Sequence, residues 1–69
     1  MKLTITFHVR EIRQSKGLSI RQLADLSGVS KSNISALENN QIMPTVHTVC
    51  CLAVALGVDL DDLVSYKIP

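Results

Sequence analysis

Between Ser30 and Asn40 the chain reads SKSNISALENN. Its polar side chains are short hydrogen-bonding groups with a single lysine among them. No histidine or cysteine stands near them, so the stretch lacks the partners for nucleophilic or metal chemistry. As a helix, with about 100° per residue and Ile34 set toward a core, Ser30, Leu37 and Glu38 fall within about 60° of Ile34. Ser32, Ser35, Ala36 and Asn39 point the other way, and Lys31 flanks the helix start. Such a face is small and polar with one methyl, and it suits a helix entering a DNA major groove about 12 Å wide.

The chemistry available to each side chain follows from its groups. Lys31 can donate to the guanine acceptors or to a phosphate. Ser32 and Ser35 can donate or accept, which reads bases weakly. Asn33 is lateral and can pair with adenine or hold a phosphate. The Ala36 methyl can touch a thymine methyl. Ser30 and the helix amino end offer N–H groups and partial positive charge to a phosphate. Asn39 and Asn40 can donate to the nucleic-acid backbone from the following loop. For each residue alone, the competing reading is an ordinary solvated surface.

Glu38 differs because it points inward, and a buried carboxylate needs a partner. Arg13 is the best candidate, and a partly buried Arg13–Glu38 pair is expected to tie the first helix to the third. The remaining reactive types are His8, His47, Cys50 and Cys51. The two histidines stand on separate segments and read as structural or solvated. Adjacent cysteines on a helix point about 100° apart and rarely bridge. They read as small core hydrophobes in a reducing cytosol, not as a redox or metal site.

The elements that must position these residues are legible in the pattern. A helix is expected from about His8 to Lys16, with Val9 and Ile12 inward and Gly17 ending it. Ser19 with Gln22 forms a capping box that opens a second helix. Leu23, Ala24 and Leu26 are expected to face inward along it. Gly28 supplies a tight turn, and Ser30 caps a third helix running to about Asn39. Residues 19–39 thus have the layout of a helix-turn-helix.

Thr45 is expected to cap a fourth helix ending at Gly57. It carries Val49, Leu52, Ala53 and Leu56 at helical spacing, but Val46, Cys50, Val54 and Ala55 are apolar too. A helix apolar nearly all round is expected to be buried on most sides, with a second subunit able to cover one of them. Asp59 with Asp62 caps a last short helix carrying Leu60 and Leu63. At the ends, Leu3, Ile5 and Phe7 share one face of a possible strand, and residues 63–68 carry β-favouring types. A short antiparallel pair between the termini is one arrangement; alone it is marginal and must pack on helices or pair across a dimer.

Composition bounds the rest. Sixty-nine residues, 46% of them hydrophobic, with three Gly and two Pro, read as one compact domain with an aliphatic core. One Phe and one Tyr argue against a stacking RNA-binding surface. Net charge is only +1. The first 45 residues nevertheless hold six of the seven cations, Lys2, Arg10, Arg13, Lys16, Arg21 and Lys31, against Glu11, Asp25 and Glu38. Such asymmetry can steer a polyanion. No signal peptide or membrane-spanning run is expected, which points to the cytoplasm.

Taken jointly, Ile12-Arg13, Gly17-Leu18-Ser19, Leu23-Ala24, Gly28-Val29-Ser30, Ile34-Ser35, Glu38-Asn39, Pro44-Thr45 and Leu52-Ala53 through Leu56-Gly57-Val58 resemble the Cro/repressor-type (XRE-like) helix-turn-helix family. Leu60-Asp61-Asp62-Leu63 matches that family's usual ending, and the resemblance covers residues 9–64. It implies an all-α, five-helix DNA-binding domain, usually dimeric, that regulates transcription, and the Arg13–Glu38 pair is one of its features. Two departures stand out. Many relatives carry a DNA-contacting Gln where this chain has Ile20, so Arg21 or Gln22 would supply phosphate contacts instead. Many also carry Gly where this chain has Asn40, which tolerates positive φ. Residues 1–7 lie outside the family core.

The expectation is therefore a sequence-specific DNA-binding regulator, a repressor in the favoured reading, that acts as a homodimer on double-stranded DNA. It needs no cofactor, metal, membrane or small-molecule substrate and is not an enzyme. The candidate DNA contacts are Arg21, Gln22, Ser30, Lys31, Ser32, Asn33, Ser35, Ala36, Asn39 and Asn40. The alternative is a protein-interaction module, or an antitoxin-like regulator, that keeps the same fold.

Overall fold

Apolar residues at helical spacing divide the chain into short helices, and capping residues set their limits. The computed structural model describes residues 1–69. In order, the elements are β1 (Thr4–Phe7), α1 (Val9–Ser15), α2 (Ile20–Ser27), α3 (Lys31–Glu38), α4 (Val46–Leu56), α5 (Leu60–Leu63) and β2 (Val64–Lys67). Helices α2, α3 and α4 each start at a hydroxyl that accepts from a backbone N–H three residues on: Ser19 from Gln22 at 3.0 Å, Ser30 from Asn33 at 3.2 Å and Thr45 from Thr48 at 3.2 Å. Gln22 returns the bond, its side-chain oxygen accepting from Ser19 N–H at 2.8 Å, which completes the expected box. At α5, the Asp62 carboxylate accepts from Asp59 N–H at 3.3 Å.

One core gathers all five helices. Val9 of α1, Leu23 of α2, Ile34 and Leu37 of α3, Val49, Leu52, Ala53 and Leu56 of α4, and Leu63 of α5 are buried together. Each fully buried Leu or Ile contributes roughly 1.5–3 kcal/mol relative to exposure. Around them pack Phe7, Ile12, Leu18, Ile20, Ala24 and Val29. The termini form the antiparallel pair, with Thr4 opposite Lys67, Ile5 opposite Tyr66, Thr6 opposite Ser65 and Phe7 opposite Val64. Alternation puts Ile5, Phe7, Val64 and Tyr66 on one ribbon face. The Phe7–Val64 end of this face packs against the core, while Tyr66 at the other end stays exposed. His8 N–H donates to Leu63 O at 2.7 Å, and His8 Nε2 lies 2.9 Å from Ser65 Oγ, so the ribbon is tied to both α1 and α5.

Several expectations need correction. Leu3 precedes β1 and is exposed, so the strand face is made by Ile5 and Phe7. Leu26 does not face inward; it is 61% exposed. It sits near the end of α2, where it lines a shallow groove with Cys50 and Val54 and no further layer covers it. Helix α4 is not buried on most sides, because Val46 and Val54 are 75% and 81% exposed. A single core needs only the stripe of Val49, Leu52, Ala53 and Leu56, and no second layer lies on the outer side. For the same reason the cysteines are not core residues: Cys50 is exposed and Cys51 half-buried, its sulfur 3.8 Å from His47 Nδ1.

Candidate nucleic-acid interface

Helices α2 and α3 are joined by Gly28, Val29 and Ser30. Gly28 turns the chain at φ 77°, a left-handed conformation that costs a residue with a Cβ about 1–2 kcal/mol. Its N–H donates to Ala24 O at 2.9 Å, ending α2. Val29 N–H donates to Ser27 Oγ at 3.1 Å, and the Val29 side chain packs against the core. The turn is thus held at both its polar and apolar groups, and α3 leaves it in a fixed direction.

The far end of α3 is equally well finished. Asn40 N–H donates to Leu37 O at 3.2 Å and Gln41 N–H to Ala36 O at 2.8 Å. This is a Schellman arrangement, with Asn40 at φ 57° in the position usually held by glycine. The Asn40 turn therefore survives the substitution as expected.

Between these ends, Ile34 and Leu37 are buried, while Lys31, Ser32 and Asn33 are exposed on the first turn. Ser35 and Ala36 are half-buried, so the outward face is more open at its amino end than along its length. Ser30 is exposed, with its oxygen engaged in the cap and 3.4 Å from Ser32 Oγ. Gln22 is exposed but its side-chain oxygen belongs to the capping box, leaving the amide N–H groups free. Arg21 and Lys31 are exposed and make no salt bridge, so both charges are available to a polyanion. Ile20 packs against the core edge, so α2 begins with an apolar anchor in place of a polar reader.

Asn39 is placed differently from the expectation of a free loop donor. Its Nδ2 donates to Ser35 O at 2.8 Å and its Oδ1 accepts from Arg10 Nη2 at 2.9 Å. The carboxamide is committed within the protein because it caps the end of its own helix.

The expected ion pair is present. Arg13 Nε donates to Glu38 Oε2 at 2.8 Å and Arg13 Nη2 to Glu38 Oε1 at 3.0 Å. Arg13 Nη1 donates to Leu18 O at 2.8 Å. The bidentate hydrogen bond to Glu38, offset in part by burial, holds the Arg13 guanidinium above the ordinary arginine range. Sequence reasoning missed a third member, Arg10, whose Nε donates to Glu38 Oε1 at 3.3 Å. The signal was available: Arg10 lies three residues before Arg13, on the same helical face.

A fold of five short helices around a helix-turn-helix, with an exposed polar first turn on the second helix of that motif, defines a helix-turn-helix domain. The helix-turn-helix family model matches residues 9–63. The chain belongs to this family, of the XRE-like, Cro/repressor type. It is 40% identical over 55 residues to the HTH-type transcriptional regulator PuuR of Escherichia coli, covering 80% of this chain and 30% of that protein. It is 35% identical over 65 residues to y4dJ of Sinorhizobium fredii, an uncharacterized HTH-type transcriptional regulator, covering 94% of this chain and 84% of that one. The crystal structure of the restriction-modification controller protein C.AhdI from Aeromonas hydrophila superposes with a TM-score of 0.78 at 34% identity, covering 80% of this chain and 83% of that one. The chain spans about a third of the length of the E. coli regulators it matches. No helix is long and apolar enough to cross a membrane.

Proposed function

We propose that this protein is a sequence-specific DNA-binding transcriptional regulator that reads the major groove with α3 and acts as a homodimer. The observation that carries the reading is the first turn of α3. A capped, Gly28-turned motif presents Lys31, Ser32 and Asn33 to solvent while Ile34 and Leu37 lock the opposite face into the core. Lys31 and Arg21 supply charge for phosphates, and Ser32 and Asn33 supply donors and acceptors for base edges. Ser30, Ser35, Ala36, Asn40 and Gln22 are the further candidate contacts, with Ser35 and Ala36 half-buried and the others exposed. The relatives named as transcriptional regulators support this reading. Dimerisation is supported by the apolar side chains left exposed, among them Met43, Val46 and Val54, in a chain too small to cover them.

The test is selection of bound sequences from a random duplex pool at about 0.15 M salt, near the physiological screening length. A dimer is expected to enrich a two-fold motif with half-sites about one helical turn apart. A folded chain that enriches nothing, yet captures a protein partner, would replace this reading with an interaction module on the same fold.

A further inference from the structure

Arg10 and Asn39 form a contact that the ion pair alone does not require. Arg10 lies on α1 and is 48% exposed, yet its guanidinium bridges two acceptors at the end of α3: Glu38 Oε1 at 3.3 Å and Asn39 Oδ1 at 2.9 Å. Glu38 already has a full bidentate partner in Arg13. The second guanidinium thus gives the cluster a net positive charge beside the carboxyl end of α3, where the helix dipole favours a cation. It also fixes which way the Asn39 amide faces, because Oδ1 must meet a donor. With Oδ1 held, Nδ2 is left to cap Ser35 O. Directly after this cap come Asn40 in its left-handed conformation and the Gln41 N–H bond to Ala36 O.

We propose that Arg10 is a positioning residue for the recognition helix, clamping its carboxyl end through Asn39, and that Asn39 serves recognition through this clamp and not by touching a base. The inference rests on the DNA-binding reading above. Arg10 sets the orientation of α3 against α1, and α1 is in turn fixed to the ribbon and α5 through His8. The direction in which Lys31, Ser32 and Asn33 project depends on that orientation. A clamp improves discrimination between sites, whereas a phosphate contact strengthens all duplexes alike.

The experiment compares Arg10→Ala, Arg10→Lys, Asn39→Ala and the Arg10→Ala/Asn39→Ala double variant. Binding to the selected site and to random duplex is measured across a salt series. Each single variant is expected to weaken binding to the selected site roughly three- to tenfold, the scale of one lost hydrogen bond. The double variant is expected to lose no more than the weaker single, since the two residues act as one unit. Random-duplex affinity and the salt slope are expected to hold. Arg10→Lys, which keeps the charge but not the fork, is expected to behave as Arg10→Ala does.

A fall in the salt slope by about one counterion, with both duplexes weakened equally and Lys restoring binding, would make Arg10 a phosphate contact and overturn the clamp. Additive losses would overturn it as well. Amide hydrogen exchange in the free protein gives a readout independent of DNA. Arg10→Ala is expected to speed exchange at Asn40 and Gln41 while Leu37 and the core amides are unchanged. Unchanged exchange at Asn40 and Gln41 removes the clamp even if DNA binding is intact. A wild-type chain that enriches no motif, with exchange at Gln41 accelerated by Arg10→Ala, would instead remove the DNA reading.

Discussion

Arg13 and Glu38 stand 25 residues apart in sequence and meet through two hydrogen bonds of 2.8 and 3.0 Å. Their side chains are 10% and 1% exposed, so the pair is part of the interior. It joins α1 to the end of α3, and the third Arg13 bond, to Leu18 O, draws in the segment that leads to α2.

Because it would leave the buried Arg13 without its carboxylate, Glu38→Ala is expected to cost about 3–5 kcal/mol in urea unfolding, and Arg13→Ala somewhat less, since Glu38 keeps the bond from Arg10 at 3.3 Å. Replacing both by apolar residues of similar volume is expected to cost less than either single change. Arg13→Lys is expected to fall in between, since an ammonium cannot make the fork. A double loss equal to the sum of the two single losses would show that the pair is not coupled.

The pair also predicts a pH response. The Arg13 value is raised in the folded chain, chiefly by its hydrogen bonds to Glu38. A raised folded-state value gives stability that is fully present below the unfolded arginine value and is lost as pH rises through the folded one. The Arg13 contribution is therefore constant across neutral and mildly alkaline pH. Unfolding titrations of wild type and Arg13→Met between neutral and mildly alkaline pH are expected to keep a constant difference.

Two turn positions separate backbone strain from packing. A Cβ added at Gly28 meets nothing within 4 Å, yet φ is 77°. Gly28→Ala is therefore expected to cost about 1–2 kcal/mol through strain alone. Asn40→Gly is expected to stabilise by a few tenths to about 1 kcal/mol, because φ 57° suits glycine better. Thermal unfolding of the two variants checks both signs.

At the proposed interface, Lys31→Ala is expected to weaken binding about equally across duplexes and to lower the salt slope by about one. Asn33→Ala is expected to cost about 1–3 kcal/mol only at one base position of the site. Binding isotherms at several salt concentrations, on the selected site and its single-base variants, separate the two behaviours. Loss of base discrimination in Lys31→Ala would assign the lysine to a guanine instead.

Much of this molecule was written locally. Capping by Ser19, Ser30 and Thr45, the Gly28 turn and the Asn40 turn are decided by side chains within three or four residues of the backbone groups they serve. The inward stripe of α4 and the direction of Glu38 follow from helical geometry. Even the Arg13–Glu38 pair was legible, because an inward carboxylate leaves few partners in so short a chain. The tertiary structure alone decided what lies on the outer sides. Leu26, Val46, Cys50 and Val54 have core-like chemistry, but burial depends on whether another element arrives to cover them, and here none does. It likewise decided that Asn39 turns back into the protein. An amide can face solvent, a base or a neighbouring guanidinium, and only the packing of α1 against α3 put Arg10 within 2.9 Å of it.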